Sequence, residues 1–215
     1  TLFHDIDDVR RISNRGECAI RNDGTVWCWG RNTSGRLGWG RWDESEYPVE
    51  VINVSEAKNV TEGLRFACAA TNRGEGWCWG ENEQTQLGNG ETQDASSPVM
   101  IPSLSNVESI YAGEYHACAL VNNGEVSCWG SGYLGQFNNG NYEFTLRPIA
   151  VTNVGEASIV SAGFLQTIAI TSEGSLWGWG RINNTLPLAV NESEYYTTDH
   201  GEVVWEPYLL ANPKK

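Results

Sequence analysis

The stretch Glu17-Cys18-Ala19-Ile20-Arg21-Asn22-Asp23-Gly24-Thr25-Val26-Trp27-Cys28-Trp29-Gly30 decides the fold, because it returns every 50 residues. Cys18 recurs as Cys68 and Cys118, and Cys28 recurs as Cys78 and Cys128. Trp29 steps to Trp79, Trp129 and Trp179, Gly30 to Gly80, Gly130 and Gly180, and Ala19 to Ala69, Ala119 and Ala169. Pro48 reappears as Pro98 and Pro148. One structural unit is therefore written four times. A unit this small cannot build a core alone and must bury its apolar face against its neighbours.

Within the quoted stretch, two runs rich in apolar and aromatic residues flank Asn22-Asp23-Gly24, the composition of a hairpin turn. Glycine returns at Gly74, Gly124 and Gly174, where a three-residue loop calls for positive φ. Around such a loop Arg21 faces Thr25, Ile20 faces Val26 and Cys18 faces Cys28. Opposed residues on antiparallel strands have β-carbons roughly 4.5–5.5 Å apart, and a disulfide prefers about 3.5–4.5 Å, so a bridge needs only slight adjustment. The fourth copy is an internal control: Ile168 and Gly178 replace both cysteines together. The expected pairs are Cys18–Cys28, Cys68–Cys78 and Cys118–Cys128, each stabilising by roughly 2–3 kcal/mol. A zinc site would need closer Cys-x-x-Cys pairs and further ligands. Three disulfides imply an oxidising, extracellular or periplasmic compartment.

After each hairpin comes a Gly-rich connection, Gly35-Arg36-Leu37-Gly38 in the first copy and Thr85-Gln86-Leu87-Gly88 in the second. A polar loop and a Pro-led strand follow (Pro48–Val51, Pro98–Ile101, Pro148–Val151), and a last short strand such as Val107–Tyr111 precedes the next hairpin. The expectation is an all-β chain of four propeller blades, each of four antiparallel strands, over about 1–51, 52–101, 102–151 and 152–215.

The string Ala112-Gly113-Glu114-Tyr115-His116-Ala117-Cys118-Ala119-Leu120, with Gly124-Glu125-Val126 and Trp129-Gly130, resembles the repeat of the regulator of chromosome condensation. The usual form of that repeat is A-G-x-x-H-x-x-A-L, G-x-V, W-G-x-N and G-Q-L-G-x-G. Its Cys-Trp-Gly variants look like the secreted, largely bacterial branch of the family. Kelch repeats carry a double glycine, which this chain lacks. WD repeats end in Trp-Asp, found here only at Trp42-Asp43 and out of register. Ile12-Ser13 stands where Ala112-Gly113 is expected, so the first unit opens degenerately. The fourth departs after Gly180, and its closing strand Pro207–Leu210 follows a lengthened loop from Val190 to Glu206.

The family usually closes seven blades, and four would leave two blade faces open. A chain belonging to a longer protein, an arc completed by another chain, and a compact four-bladed ring would each resolve this. The chain opens at Thr1 rather than Met, as a trimmed leader or a longer parent would explain.

No catalytic constellation stands out. The histidines are His4, His116 and His200, of which His116 sits at a recurrent position and reads as packing or a strand hydrogen bond. Asp5, Asp7 and Asp8 lack calcium-loop spacing and read as a solvated acidic end. No cofactor or metal is expected. Net charge is −13 with no basic run, which disfavours nucleic acid. With 40% hydrophobic residues the chain can fill a core, yet no run is long enough for a membrane helix.

Trp27, Trp29, Trp77, Trp79, Trp129, Trp177 and Trp179 fall in the repeated strand and read as packing. Trp39, Trp42, Tyr47, Tyr142, Phe144, Tyr195, Tyr196 and Trp205 fall in or beside the long loops. Loops on rigid scaffolds carry function, and aromatics are enriched at binding hot spots, so these eight are the candidate partner-binding residues. Asn32, Asn53, Asn59, Asn183 and Asn191 open Asn-x-Ser/Thr sequons and are glycosylation candidates in a eukaryotic secretory setting.

The expected function is a secreted, non-enzymatic binding or scaffold module that presents its loops to a protein partner. Two alternatives stand beside it: a structural subunit of an extracellular assembly joined through exposed blade faces, and an inhibitor of a secreted enzyme. The resemblance itself implies exchange factors for a small nuclear GTPase, beta-lactamase inhibitors or an ultraviolet-B photoreceptor. Disulfides and acidity fit the first of these poorly, and the Gly-Trp-Arg-His-Thr repeats of the last are missing.

Overall fold

The computed structural model describes residues 6–133, 137, 144–182, 195–198 and 201–211, with backbone alone at 182, 195–198, 201–208 and 211. The first sheet contains β1 (Val9–Ile12), β2 (Cys18–Arg21), β3 (Val26–Gly30) and β4 (Ser45–Glu50). The second contains β5 (Ala57–Glu62), β6 (Phe66–Thr71), β7 (Gly76–Gly80) and β8 (Ala95–Met100). The third contains β9 (Val107–Ala112), β10 (His116–Val121), β11 (Val126–Gly130) and β12 (Thr145–Ala150). The fourth contains β13 (Ala157–Ala162), β14 (Gln166–Thr171), β15 (Leu176–Ile182), β16 (Tyr195–Thr198) and β17 (Gly201–Ala211). All pairings are antiparallel between neighbours, and in the first three sheets the strand order follows the chain. The sequence-expected propeller blades are therefore present. Among the described residues the sole helical element is a 3₁₀ turn at Thr33–Gly35.

The hairpin register is the one its turn predicts. Cys18 lies opposite Cys28, Cys68 opposite Cys78 and Cys118 opposite Cys128. All three pairs are disulfides, with Cα–Cα separations of 4.1, 4.0 and 4.0 Å. In the fourth sheet Ile168 lies opposite Gly178, so the same register is kept without sulfur.

The core sits between sheets rather than within them. One cluster joins Cys18, Ile20, Val26 and Cys28 to Ala57, Val60, Ala69 and Trp79 of the next blade. A second joins Cys68, Ala70 and Cys78 to Val107, Ile110, Ala119 and Trp129. A third joins Cys118, Leu120 and Cys128 to Ala157, Val160, Ala169 and Trp179. Each of the first three blades thus turns its disulfide face to its successor, and each of the last three turns its tryptophan face to its predecessor. Burying one such indole is worth roughly 4–6 kcal/mol as an upper bound.

The Gly-rich connection latches each blade to the next. Leu37 and Leu87 are buried, and the backbone around them accepts the next blade's tryptophan. Trp79 Nε1 donates to the Arg36 carbonyl at 2.8 Å, and Trp129 Nε1 donates to the Gln86 carbonyl at 2.9 Å. Gly38 follows at φ +70, and a Cβ there would lie 2.7 Å from Trp79 Nε1. The glycine therefore serves both the left-handed backbone and the close approach of the ring. Further out, Gly40 N–H donates to Ser96 O and Gly90 N–H to Leu146 O, so each loop leans on the outer strand of the following blade.

Three expectations need correction. The first unit does not open degenerately: its first strand is paired two residues out of step. Val9 lies opposite Arg21 and Ile12 opposite Ala19, the places held in the second blade by Ala57 and Val60. The β1–β2 connection is two residues shorter between equivalent positions, Ile12 to Ala19 against Val60 to Ala69, and this shift restores the apolar pattern. The fourth unit has five strands rather than four, because β16 and the start of β17 form a hairpin within the segment expected to be loop. Tyr195, Tyr196 and Trp205 consequently lie on strands.

Candidate interaction surface

The first blade's long loop is built by one side chain. Asn32, buried, accepts the Leu37 N–H at 2.8 Å through Oδ1 and donates through Nδ2 to the carbonyls of Arg41 and Asp43, each at 2.8 Å. Asn82 does the same in the second blade, accepting Leu87 N–H at 3.0 Å and donating to Glu91 O at 2.8 Å. An amide spanning three backbone groups substitutes for secondary structure and holds an otherwise polar loop in one shape.

Trp42 stands between the two carbonyls that Asn32 holds, and it is 57% exposed. A large apolar ring exposed on a pinned loop is what a binding anchor requires, since little ordering remains to be done when a partner arrives. Trp39 behaves otherwise. It packs on the first interblade core, carries the Arg41 guanidinium 5.0 Å from its ring, and buries its indole N–H without an acceptor. Its principal contacts are internal. Tyr47 is well exposed but stands on β4 rather than in a loop.

In the third blade Phe144 meets Tyr133 edge to face, centroids 4.7 Å apart, and both rings are partly open to solvent. Sequence reasoning missed Tyr133. The available signal was Gly132 in the place of Asn32 and Asn82, which marks a loop built differently from the other two. Tyr142 lies outside the described residues, and the side chains of Tyr195, Tyr196 and Trp205 lie outside them too.

The sequons sort by burial. Asn32 and Asn59 are buried, and both side chains are committed: Asn32 to its loop, Asn59 to Ile110 N–H through Oδ1 at 2.9 Å. Neither can carry a glycan in this fold, which corrects the sequence expectation at those positions. Asn53 is exposed in a turn at φ +62. Asn183 and Asn191 lie outside the described residues.

At the centre of the arc a dimple of about 290 Å³ is lined by Asn14 and Arg15, Glu62, Glu114, and Gly163 and Phe164, so all four blades contribute. Glu62 is buried and well partnered. It accepts from Ser13 Oγ and from Glu17 N–H, and it lies 3.4 Å from Arg36, which also pairs with Glu17. Burial pushes the Glu62 carboxyl up, while Ser13 and Arg36 oppose that. Glu114 is likewise raised by burial, with Arg15 opposing. This network ties the first two blades together and has no ring of ligands: among the described residues no group of three or more His, Cys, Asp or Glu could hold a metal ion.

His116 is fully buried and shares a 3.0 Å hydrogen bond through Nε2 with Thr167 Oγ1 of the next blade. Burial lowers its pKa to about 4. It is an interblade fastener, buried between the third and fourth blades.

Rigid sheets stacked face to face, with tryptophan latches and exposed loop aromatics, define the class: a β-propeller arc that offers an interaction surface. The family profile described as Regulator of chromosome condensation (RCC1) repeat matches residues 23–70 and 73–120, and a second profile of the same description matches 107–136. The chain belongs to the RCC1 repeat family. Among solved structures it is similar to human WBSCR16, with 23% identity over 90% of this chain and 52% of that one, TM-score 0.74. It is similar also to Prp20p from Saccharomyces cerevisiae, in a structure described with that protein's binding to Gsp1p and histones (20%, 92% and 48%, TM-score 0.74). Yeast RCC1 (Prp20) bound by Kap60 is comparable at 20%, 92% and 47%, TM-score 0.72. The chain spans about half the length of these propellers. No curated protein matches it.

Proposed function

We propose that this chain is a secreted, non-enzymatic protein-interaction module in which a stiff propeller arc presents its loop aromatics, Trp42 foremost, to a protein partner. The observation that carries the reading is the Asn32 clamp around an exposed Trp42. The family supports the general role, and the similar yeast propeller, which is bound by Kap60 and binds Gsp1p and histones, points the same way. Three disulfides support an oxidising compartment, and no helix among the described residues is long and apolar enough to cross a membrane. The acidic surface disfavours nucleic acid. Blocking a secreted enzyme is one form this role could take, since it needs only an interface of roughly 800 Å² per partner.

The test places a photo-crosslinking benzoylphenylalanine at residue 42 and exposes the chain to the extracellular fraction of its source organism. The reading predicts one dominant crosslinked protein, displaced by excess unlabelled chain but not by the Trp42→Ala variant. Displacement by both alike would contradict it.

A further inference from the structure

The dimple of about 290 Å³ at the centre of the arc holds one positive and one negative side chain that do not serve each other. It is built at the corners where the first strand of each blade turns into the second. Those corners are fixed to one another. Leu64 N–H donates to Glu114 O at 3.1 Å and Glu114 N–H to Phe164 O at 3.3 Å. Asn14 takes the Glu62 N–H at 2.7 Å through Oδ1 and donates to the Glu62 carbonyl at 2.9 Å through Nδ2. A site set on such a frame is preorganised.

The charges around the dimple are unequally satisfied. The Glu62 carboxylate is already served by Ser13, the Glu17 N–H and Arg36. Glu114 is not: its Oε2 is buried without a hydrogen-bond partner. Arg15 is exposed, and its charge is felt at both Glu62 and Glu114, yet among the described residues it makes no ion pair or hydrogen bond. The floor between Arg15 and Glu114 carries only small side chains, at Ala112, Gly113, Ala162 and Gly163. Directly against Gly113 lies His116 Nδ1, on a fully buried ring and likewise without a partner. At the rim Phe164 is 65% exposed.

We infer that this dimple binds a free α-amino acid, with its carboxylate on Arg15, its ammonium on Glu114 and its side chain against Phe164. A simple cation would be opposed by Arg15 and a simple anion by Glu114, whereas a ligand bearing both charges relieves both groups. A guanidinium takes a carboxylate through two parallel hydrogen bonds, and an ammonium brings three donors to a carboxylate short of them. The volume lies at the lower end of the roughly 300–1,000 Å³ of small-molecule sites, which suits one amino acid and not a folded segment of a partner.

The inference stands apart from the loop reading, because it uses the blade corners and partner capture uses Trp42. Isothermal titration calorimetry with L-phenylalanine tests it, beside two analogues that each lack one charge: phenethylamine has no carboxylate, and hydrocinnamate has no ammonium. The unaltered chain should bind L-phenylalanine more tightly than about 1 mM and each analogue at least tenfold more weakly. Arg15→Gln should erase the advantage of L-phenylalanine over phenethylamine, and Glu114→Gln its advantage over hydrocinnamate, with circular dichroism unchanged in both. Glu83→Gln, which alters an exposed carboxylate on the second blade's long loop, should leave all three affinities as they were. Absence of heat from L-phenylalanine at millimolar concentration would overturn the proposal. So would analogues that bind as well as the amino acid, or corner variants that weaken all three ligands alike.

Discussion

The side-chain amide of Asn32 brackets Trp42, its Nδ2 lying 2.8 Å from the carbonyl oxygens of both Arg41 and Asp43. The tryptophan is held from both sides by a residue ten positions earlier that never touches solvent. Asn32→Ala would remove those bonds and strand the buried Leu37 N–H, at a cost of about 1–3 kcal/mol. Limited trypsin digestion should then cut after Arg41 much faster than in the unaltered chain. Trp42→Ala should shift stability by less than about 0.5 kcal/mol, as exposed substitutions usually do.

His116 makes stability depend on pH. Its folded pKa lies at about 4, below the ordinary 6.5, because burial disfavours the cation. The unfolded chain therefore takes up a proton first as pH falls. Stability from this group is fully present above pH 6.5 and declines between 6.5 and 4, by about 3 kcal/mol in all. Urea unfolding at pH 7 and pH 4.5 measures the decline. His116→Phe, which copies the buried Phe66 of the second blade, should flatten most of it.

Gly38 should be far less replaceable than Gly16, since both have positive φ but only Gly38 is closely packed. Gly16 has φ +78 and open space around it, so Gly16→Ala pays only for the backbone, roughly 1 kcal/mol. Gly38→Ala adds a collision with the Trp79 ring and should cost several kcal/mol in total. Thermal melts of the two variants, with tryptophan emission reporting on Trp79, separate the effects.

Much of this architecture was legible because it is periodic. The 50-residue step, the turn glycines and the paired loss at Ile168 and Gly178 fix hairpin, register and disulfides without coordinates. What escaped is instructive. The two-residue slip of β1 hid the equivalence of Ile12 with Val60, since a fixed 50-residue step cannot show a connection that is two residues shorter. The β16–β17 hairpin looked like loop because its strands occur in one unit only. Trp39 and Trp42 are alike on paper, three residues apart in one loop, and only packing separates the half-buried ring from the exposed one. Asn32 read as a sequon when its amide was already spent on the backbone.

The disulfides stabilise each hairpin independently of its neighbours. Replacing Cys68 and Cys78 together with Ala should lower unfolding free energy by about 2–3 kcal/mol, measured by urea titration under oxidising conditions. The hairpin should persist, because the fourth blade builds the same hairpin without sulfur.

The most direct test of the central claim, that a rigid arc recognises a protein through Trp42, is a paired measurement on Trp42→Ala. Its affinity for the protein captured by crosslinking from residue 42 is read beside its melting temperature. The account predicts an affinity loss of tenfold or more, about 1.4 kcal/mol or above, with the melting temperature unchanged. Undiminished affinity, or a loss that merely follows a fall in stability, would contradict it.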